Sequence, residues 1–391
     1  MRPHPCLVSC ALLFLGGCVI YRPFPRTTAL SADLATLPSG CSSDGSLYVE
    51  MRLNGAGPFK ILVDTGSPML FVNADVAAAA KLKPRGRVIA SGATDREEAV
   101  VSEAESVESG DLRLQDVSVI AVAHGKDPEL ARLGFDGICG LPLFHDVVLV
   151  LDYPGHQVRV RRLGSMDFPA DRALPFTGVT PIVPLRVAGK SESALLDTGS
   201  GFTLIVGGFD SLPFVEPPLK DEGLGGFGLG SMTGARERNG QLAGEAQVGP
   251  IHFIDPPLRA QYPGRDANIG IGVLDHLALA FDQRSHRVYF LGRETTRTWA
   301  IERHPDAAHR AGFLGALEGG RIRLVEIDAD GAFARAGLKP GDIILTVDDV
   351  PAGDFQTNQQ WEAAPRRTLR IARGKDSMTI LVSFQLQDEK G

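Results

Sequence analysis

Cysteine is scarce in this chain of 391 residues, which contains five, and these cysteines lack the paired spacing of a zinc site. The nine histidines form no H-E-x-x-H motif, and the candidate nucleophiles Ser67 and Ser200 do not lie in G-x-S-x-G elbows. Basic residues form no long block, and the 40 Lys and Arg are outnumbered by 47 Asp and Glu. These features argue against a metal enzyme, a serine hydrolase and a nucleic-acid-binding protein. We therefore expect no metal, no other cofactor and no nucleic-acid partner.

Long amphipathic helical patterns are also few. The chain instead has 45 glycines and 26 prolines, a composition typical of short strands joined by turns. Apolar residues make up 43% and charged residues 22%, which is the balance of a globular protein. The sequence thus predicts a mostly β protein with two or three domains of roughly 100 to 200 residues each.

The N-terminus carries an apolar run at residues 6–15, which is shorter than the ~20 residues of a membrane-spanning helix. The run predicts an export signal over residues 1–17. It ends in LGGC at residues 15–18, which resembles the lipobox of bacterial lipoproteins and makes Cys18 the predicted lipidation site. The alternative is a plain signal peptide with an incidental cysteine. Because Val19 is not the Asp of an inner-membrane retention signal, the resemblance implies a lipid anchor at the outer membrane of the bacterial cell envelope, facing the periplasm.

Residues 18–45 are rich in Pro, Ser, Thr and Gly, which predicts a tether between the anchor and the folded body. Beyond Cys18 the chain contains only Cys41 and Cys139, so at most one intramolecular disulfide can form in an oxidising compartment. Cys139 lies in an apolar strand pattern. That pattern favours a buried free thiol, and pairing with Cys41 stays open.

An internal repeat organises the middle of the chain. An apolar strand pattern that ends in Asp-Thr-Gly-Ser at residues 64–67 returns at residues 197–200, an offset of 133. Two later landmarks recur in the same order at offsets of 132 and 130. They are Gly140 with Gly272, each after two apolar or small residues, and Asp152 with Asp282.

The repeat predicts two related lobes, at residues 46–163 and 181–294, joined by a connector at residues 164–180. Packed about a pseudo-two-fold axis, the lobes would bring Asp64 and Asp197 face to face. Two neighbouring negative charges resist joint ionisation, so the pair would share one proton. One carboxyl is then an acid and the other a base, and together they can activate a water molecule for hydrolysis.

The paired motifs resemble those of the pepsin and retropepsin superfamily over residues 46–293. The resemblance implies a bilobal, mostly β acid-protease fold and an aspartic endopeptidase with Asp64 and Asp197 as catalytic acids. It also implies that the residues after each acid hold the two catalytic loops in place. Because both acids come from one chain, the dyad requires no oligomer. These supporting residues are Thr65, Gly66, Ser67, Thr198, Gly199 and Ser200.

The same resemblance gives the supporting residues separate roles. Thr65 and Thr198 would cross-brace the two loops. Ser67 and Ser200 would hydrogen-bond the outer carboxylate oxygens, while the landmark glycines would lie behind each loop.

Members of this superfamily close over the substrate with a β-hairpin flap between the catalytic loop and the landmark glycine. Neither candidate here carries the aromatic residue that pepsin-like enzymes place on the flap, so the lid resembles the retropepsin kind. The candidate flap residues are Ser91, Gly92, Ala93 and Thr94 in the first lobe and Gly230, Ser231, Met232 and Thr233 in the second.

The C-terminal segment differs in kind from the repeat. After a linker at residues 295–310, residues 311–387 contain the stretch AGLKPGD at residues 336–342 and resemble a small α+β PDZ domain. The resemblance implies a loop that turns backbone N–H groups toward the carboxylate of a C-terminal peptide ligand, which adds as an extra strand. The alternative is a module that only packs on the protease. The loop residues are Gly312, Phe313, Leu314 and Gly315.

These patterns together predict an exported aspartic endopeptidase that acts on polypeptide substrates. One alternative is a catalytically silent lipoprotein that binds peptides without cutting them. Another is a processing protease dedicated to one partner.

Overall fold

The computed structural model describes residues 13–14, 22–42, 45–91, 96–122, 134–165, 167–216, 218–221, 237–261, 267–292, 295–300, 313–318, 320–327, 329, 331–354 and 364–384. Within these ranges strands dominate and helices are short, which confirms the predicted mostly β fold. The chain divides into two compact units. The first unit consists of residues 1–92, 96–215 and 241–300, and the second of residues 93–95, 216–240 and 301–391.

The first part of the first unit contains thirteen strands, one helix and one 3-10 turn. They are β1 (Leu13–Phe14), β2 (Thr27–Leu30), β3 (Leu34–Thr36), β4 (Ser39–Cys41), β5 (Leu47–Leu53), β6 (Ala56–Asp64), β7 (Leu70–Asn73), α1 (Ala74–Ala79), β8 (Lys83–Ser91), β9 (Arg96–Ser109), β10 (Leu112–Val122), β11 (Gly137–Gly140), the 3-10 turn Leu141–Phe144, β12 (Val147–Asp152) and β13 (Gln157–Arg162). Because β9 pairs with both β10 and β5, six strands close into a barrel in the order β5, β6, β11, β7, β10, β9.

The next part of the chain contains the second copy of the repeat. Its elements are the 3-10 turn Ala170–Arg172, β14 (Ala173–Pro175), β15 (Ile182–Val187), β16 (Lys190–Leu196), β17 (Leu204–Val206), the 3-10 turn Phe209–Ser211, β18 (Leu219–Asp221), β19 (Glu237–Gln241), β20 (Glu245–Val248), β21 (Ile251–Ile254), β22 (Pro257–Ala260), β23 (Ala267–Ile269), α2 (Ile271–Leu274), β24 (Ala278–Asp282), β25 (Arg287–Leu291) and β26 (Thr296–Thr298). In this copy β23 lies parallel to β16, just as β11 lies parallel to β6 in the first. Each acid-bearing strand therefore has the same kind of neighbour.

A six-stranded sheet is shared by the two copies, in the order β14, β25, β24, β12, β13, β3. At its centre β12 and β24 pair antiparallel, with Val150 opposite Ala280. These two strands end at Asp152 and Asp282, the last landmark of the repeat. Backbone hydrogen bonds thus join the copies, and one apolar core runs through both.

Hydrophobic patterning explains where individual strands lie. Successive side chains of a strand point to opposite faces. In β5 every second residue from Leu47 to Leu53 is buried, whereas Arg52 is exposed. In β12 all five residues from Val147 to Leu151 are buried, because this strand lies at the centre of the shared sheet and is covered on both faces.

Part of the predicted tether, residues 18–45, is built into the first unit. Strand β2 pairs with β10, β3 with β13 and β4 with β5. Leu30, Ala35 and Leu37 are buried in the core. The tether prediction is therefore wrong for residues 27–41, because burial of these apolar side chains and strand pairing hold the stretch in place despite its Pro and Gly content.

Leu13 and Phe14, within the predicted export signal, form strand β1, which pairs with β8. Cys18 lies outside the described residues. In the ranges that the structure describes, no helix combines the length and apolar character needed to cross a bilayer.

The C-terminal part of the second unit is an antiparallel sheet around its own apolar core. Its elements are β27 (Phe313–Glu318), β28 (Arg321–Ile327), α3 (Ala332–Arg335), β29 (Ile343–Val347), β30 (Val350–Pro351), the 3-10 turn Ala352–Asp354, β31 (Arg366–Arg373) and β32 (Asp376–Ser383). The order is β27, β28, β29, β31, β32, with β30 beside β29. Asp342 is buried and accepts two hydrogen bonds from the Arg373 guanidinium, at 2.7 and 2.6 Å. This ion pair explains why the AGLKPGD stretch ends in an acid.

The residues predicted to form a carboxylate-binding loop lie partly on a strand. Gly312 is outside the described residues, whereas residues 313–315 belong to β27 and pair with β28. Phe313 is buried, and its ring stacks on Phe333 at 4.4 Å between centroids. The loop prediction is therefore wrong for residues 313–315, because the core takes up the Phe313 side chain and fixes this backbone in the sheet.

Candidate active site

Asp64 and Asp197 each lie at the end of a strand in the middle of the first unit. Asp64 is the last residue of β6, and Asp197 follows the last residue of β16. Both acids are half-buried residues, and the threonines that follow them are fully buried. The turns thus hold the two carboxyl groups on a rigid base.

The two carboxyl groups interact directly with each other. Loss of water around the Asp64 carboxyl, the charge of Asp197 and a hydrogen bond with Asp197 raise the pKa of Asp64 well above its usual range. The N–H groups of Gly66 and Ser67 act in the opposite direction, because they stabilise the ionised form. On balance the pKa of Asp64 is raised, which favours its neutral form.

Glycine at the third position of each turn allows this close approach. A Cβ placed on Gly66 would lie 2.6 Å from Cγ of Asp197, and one on Gly199 would lie 2.3 Å from Cγ of Asp64. Real Cβ atoms do not approach other atoms so closely. Each glycine therefore leaves room for the acid of the opposite turn.

Backbone N–H groups hold the inner side of each carboxyl. Gly66 and Ser67 donate to Oδ1 of Asp64, at 2.8 and 3.1 Å, and Gly199 donates to Oδ1 of Asp197 at 2.9 Å. These bonds fix the orientation of both side chains.

The two threonines form a reciprocal brace across the pseudo-two-fold axis. The Thr65 N–H donates to Thr198 Oγ1 at 3.0 Å, and the Thr198 N–H donates to Thr65 Oγ1 at 3.1 Å. The hydroxyl of Thr65 then donates to the Leu196 carbonyl at 2.6 Å, and that of Thr198 to the Val63 carbonyl at 2.7 Å. The cross-brace that the resemblance implied is present in these four bonds.

Replacing Thr198 with Val is expected to lower the free energy of unfolding by about 1 to 3 kcal/mol, the usual cost of leaving buried polar groups unsatisfied. Val fills the same volume but leaves the Thr65 N–H and the Val63 carbonyl without this partner. Urea denaturation of the full chain measures the change. Thr198→Ser, which keeps the hydroxyl, is the control, and equal stability of the Val and wild-type proteins would contradict the role of the brace.

The serines differ from the prediction. The Ser67 hydroxyl donates to the Met69 carbonyl at 3.2 Å. The contact of Ser67 with the Asp64 carboxylate is made by its backbone N–H and not by its hydroxyl. Ser200 is buried, and its N–H donates to the backbone carbonyl of Asp197 at 3.3 Å. The predicted contact between the Ser67 hydroxyl and an outer carboxylate oxygen is wrong, because the turn directs the hydroxyl to the Met69 carbonyl, which also accepts the Gly140 N–H.

The glycine behind the second loop is Gly270 rather than Gly272. In the first copy Cys139 pairs with Val63 and Gly140 with Asp64, and in the second Ile269 pairs with Leu196, which places Gly270 beside Asp197. A Cβ on Gly140 would lie 2.2 Å from the Ser67 carbonyl oxygen, and one on Gly270 would lie 2.7 Å from that of Ser200. The repeat therefore continues at an offset of 130 here, the offset that Asp152 and Asp282 already had.

Asn268 is a site residue that the sequence reasoning missed. Its Nδ2 group donates to Oδ2 of Asp197 at 2.6 Å. An alignment that used Gly270 would have revealed it as a polar residue in the apolar segment before the landmark glycine.

Two further groups lie close to the acids. Burial raises the pKa of the Tyr153 phenol, and burial also raises the pKa of the Cys139 thiol. Cys139 and Cys41 are both free thiols, and Cys139 is buried as predicted. Both Tyr153 and Cys139 therefore stay neutral beside the carboxyl pair.

The candidate flaps lie mostly outside the described residues. In the first lobe β8 and β9 pair antiparallel as far as Ser91 with Arg96, which gives the two sides of a hairpin. Gly92, Ala93 and Thr94 lie between them and outside the described residues, as do residues 230–233 of the second candidate.

Residues 49–142 match a protein-family model described as aspartyl protease. The matched segment includes the Asp64 turn and β11, and it supports an aspartyl protease family and a hydrolase of the aspartic peptidase type. No curated protein matches the chain.

Proposed function

We propose that this protein is an aspartic endopeptidase that hydrolyses peptide bonds with a water molecule activated between Asp64 and Asp197. The observation that carries the proposal is the direct contact of two carboxyl groups, one from each copy of the repeat, in turns braced by reciprocal threonine hydrogen bonds. The match of the first copy to an aspartyl protease family supports the same activity.

The pair has the groups needed for both proton transfers. Asp197 takes a proton from water, the water oxygen bonds to the scissile carbonyl carbon, and Asp64 donates its proton to the carbonyl oxygen as the C=O π bond breaks. When the resulting diol collapses, the C–N bond breaks. Asp197 then gives its proton to the leaving nitrogen, and Asp64 recovers a proton from a diol hydroxyl. The dyad returns to its starting state, and the net reaction consumes one water molecule.

The rigidity of the site favours this chemistry. Catalytic groups that are already oriented avoid part of the reorganisation cost of reaching the transition state. Backbone N–H groups fix the carboxylates, and the threonine brace fixes the two turns relative to each other.

We propose that the C-terminal unit is a PDZ-like module that binds a peptide or the C-terminus of a partner. An antiparallel sheet with its own core supports this role. Among the described strands β27 pairs with β28 alone, so its outer edge can accept an added strand.

We also propose that the chain is exported and attached by lipid at Cys18, on the strength of the LGGC sequence at residues 15–18. Cleavage before Cys18 would remove strand β1.

The peptidase proposal is tested by incubating the full chain with an unfolded protein and with a peptide library, with and without the transition-state analogue pepstatin. Mass spectrometry of the products should show cleavage at internal peptide bonds, suppressed by the inhibitor. Peptide binding without product, both in the library and in a cell lysate, would reject the proposal in favour of a silent binding protein. Cleavage of a single lysate protein alone would support hydrolysis and restrict it to a dedicated processing protease.

A further inference from the structure

Asn268 makes the two halves of the carboxyl pair unequal. It lies on β23, and its Nδ2 donates to Oδ2 of Asp197 at 2.6 Å, while the Gly199 N–H donates to Oδ1 at 2.9 Å. Both oxygens of Asp197 therefore accept a hydrogen bond from the second copy of the repeat.

The corresponding position in the first copy is occupied by Ile138. Ile138 pairs with Leu62 as Asn268 pairs with Leu195, and each leucine precedes its acid by two residues. Ile138 has no polar side-chain group and packs against an apolar cluster that includes Leu62. Asp64 thus lacks the donor that Asp197 has at this place.

A primary amide nitrogen distinguishes the two states of a neighbouring carboxyl. Nδ2 of Asn268 carries only hydrogens to donate, so its contact with Asp197 favours the ionised carboxylate. Within the described residues, Oδ1 of Asn268 is buried and has no hydrogen-bond partner. Leaving an acceptor unsatisfied costs free energy, and the contact of the amide with a charged oxygen offsets that cost.

Asp64 is arranged to hold the proton. Both of its backbone donors, the N–H groups of Gly66 and Ser67, point to Oδ1. Its other oxygen is left for the proton shared with Asp197. The pKa of Asp64 is raised well above its usual range by loss of water and by the Asp197 charge.

We propose that Asn268 is a positioning residue that keeps Asp197 ionised and so assigns the shared proton of the pair to Asp64. Its kinetic consequence rests on the proposed peptidase function. Asp197 is then the base toward water, and Asp64 is the acid toward the carbonyl oxygen. Asn268 consequently sets the lower pH limit of activity, because the site loses its base once Asp197 is protonated.

Other titratable groups near the pair do not account for this assignment. Tyr153 and Cys139 are the ones that face it from β11 and the end of β12, and burial raises the pKa of both side chains. Cys41 lies near Tyr153. As neutral groups, Tyr153 and Cys139 add no charge that would favour one acid over the other.

The test is the pH profile of kcat/KM for Asn268→Leu, which preserves volume and removes the donor. The acidic limb is expected to move to higher pH by about one to two pH units, the effect of losing a hydrogen bond to an ionised group. Ile138→Leu at the twin position is the control and should keep the wild-type limb. Asn268→Ala is a second variant and should shift the limb in the same direction.

A loss of kcat with an unmoved acidic limb in both Asn268 variants would overturn the proposal and leave a merely structural role. A readout independent of activity is the pH titration of the Asp197 carboxyl by ¹³C NMR of aspartate-labelled full chain, with the signal identified by its loss in Asp197→Asn. The titration is expected to move to higher pH in Asn268→Leu, and an unchanged titration would refute the assignment. If the wild type cleaves nothing while this titration moves, the peptidase function fails and the role of Asn268 stands.

Discussion

Asp64→Asn and Asp197→Asn are each expected to lower kcat/KM for peptide cleavage by about 10³-fold or more, while the chain stays folded. General acid–base groups commonly contribute 10²- to 10⁴-fold each, and here the two act on the same proton transfers. Asn has the shape of Asp and can still accept the backbone hydrogen bonds at Oδ1, but it can neither ionise nor transfer a proton. Steady-state kinetics on a peptide cleaved by the wild type measure the effect.

Asp282→Asn is the matched control for these substitutions. Asp282 also ends a strand, and its Oδ1 accepts the Ser285 N–H at 3.1 Å, a contact that Asn preserves. We expect its kcat/KM to stay within about twofold of wild type, since Asp282 belongs to neither Asp-Thr-Gly turn and Asn keeps its backbone contact. Near-wild-type cleavage by folded Asp64→Asn protein would contradict the proposed dyad.

Gly199→Ala is expected to lower kcat by about 10²-fold or more, because misplacing a catalytic group by roughly 1 Å costs that much. The added methyl group would lie 2.3 Å from Cγ of Asp64 and 2.5 Å from its Oδ1. The Asp64 carboxyl or the Gly199 backbone must therefore shift, which disturbs the arrangement of the two acids. Steady-state kinetics should show a larger change in kcat than in KM, since the substituted atom faces the acids.

Gly201→Ala is the control for this glycine. It lies two residues further along the same loop, and a Cβ there would meet no atom within 4 Å. It should keep kcat near the wild-type value. Equal kcat values for the Gly199 and Gly201 variants would show that the approach of Gly199 to Asp64 is not needed for turnover.

The central part of the site could be predicted from the sequence because the motif itself encodes it. Asp-Thr-Gly contains the acid, the bracing hydroxyl and the residue without a side chain, and two copies in one chain imply a pair. The repeat predicts the contact between the carboxyl groups, and the resemblance to the acid-protease superfamily implies the threonine brace; both are present in the structure.

Details that depend on register could not be predicted in the same way. Gly270 and Gly272 lie two residues apart, and the sequence favoured Gly272 because it too follows an apolar residue. Only the pairing of β23 with β16 decides between them and identifies Asn268 beside Asp197. The partner of the Ser67 hydroxyl likewise depends on the conformation of the turn, in which this hydroxyl donates to the Met69 carbonyl.

The parts outside the repeat were harder to predict, because their Pro and Gly content predicts loops even though a few of their apolar residues are buried. The composition of the stretch before Leu47 predicts a tether, yet this stretch adds three strands to the first unit. The sequence places Phe313 in a loop, but its ring is buried against Phe333. In both cases the burial of a few apolar side chains keeps the backbone in a strand, although the Gly and Pro around them favour loops.

The shared sheet also limits what half of this chain could do alone. A fragment that ended after β13 would expose the edge of β12 that β24 now covers, a row of unpaired backbone groups on a strand whose residues from Val147 to Leu151 are all apolar. Such an edge attracts another strand. A second copy of the fragment could supply it through a two-fold symmetric contact, and each fragment would then contribute one Asp-Thr-Gly turn. Covalent continuity between the halves therefore replaces self-association, and it allows the two acids to acquire different neighbours.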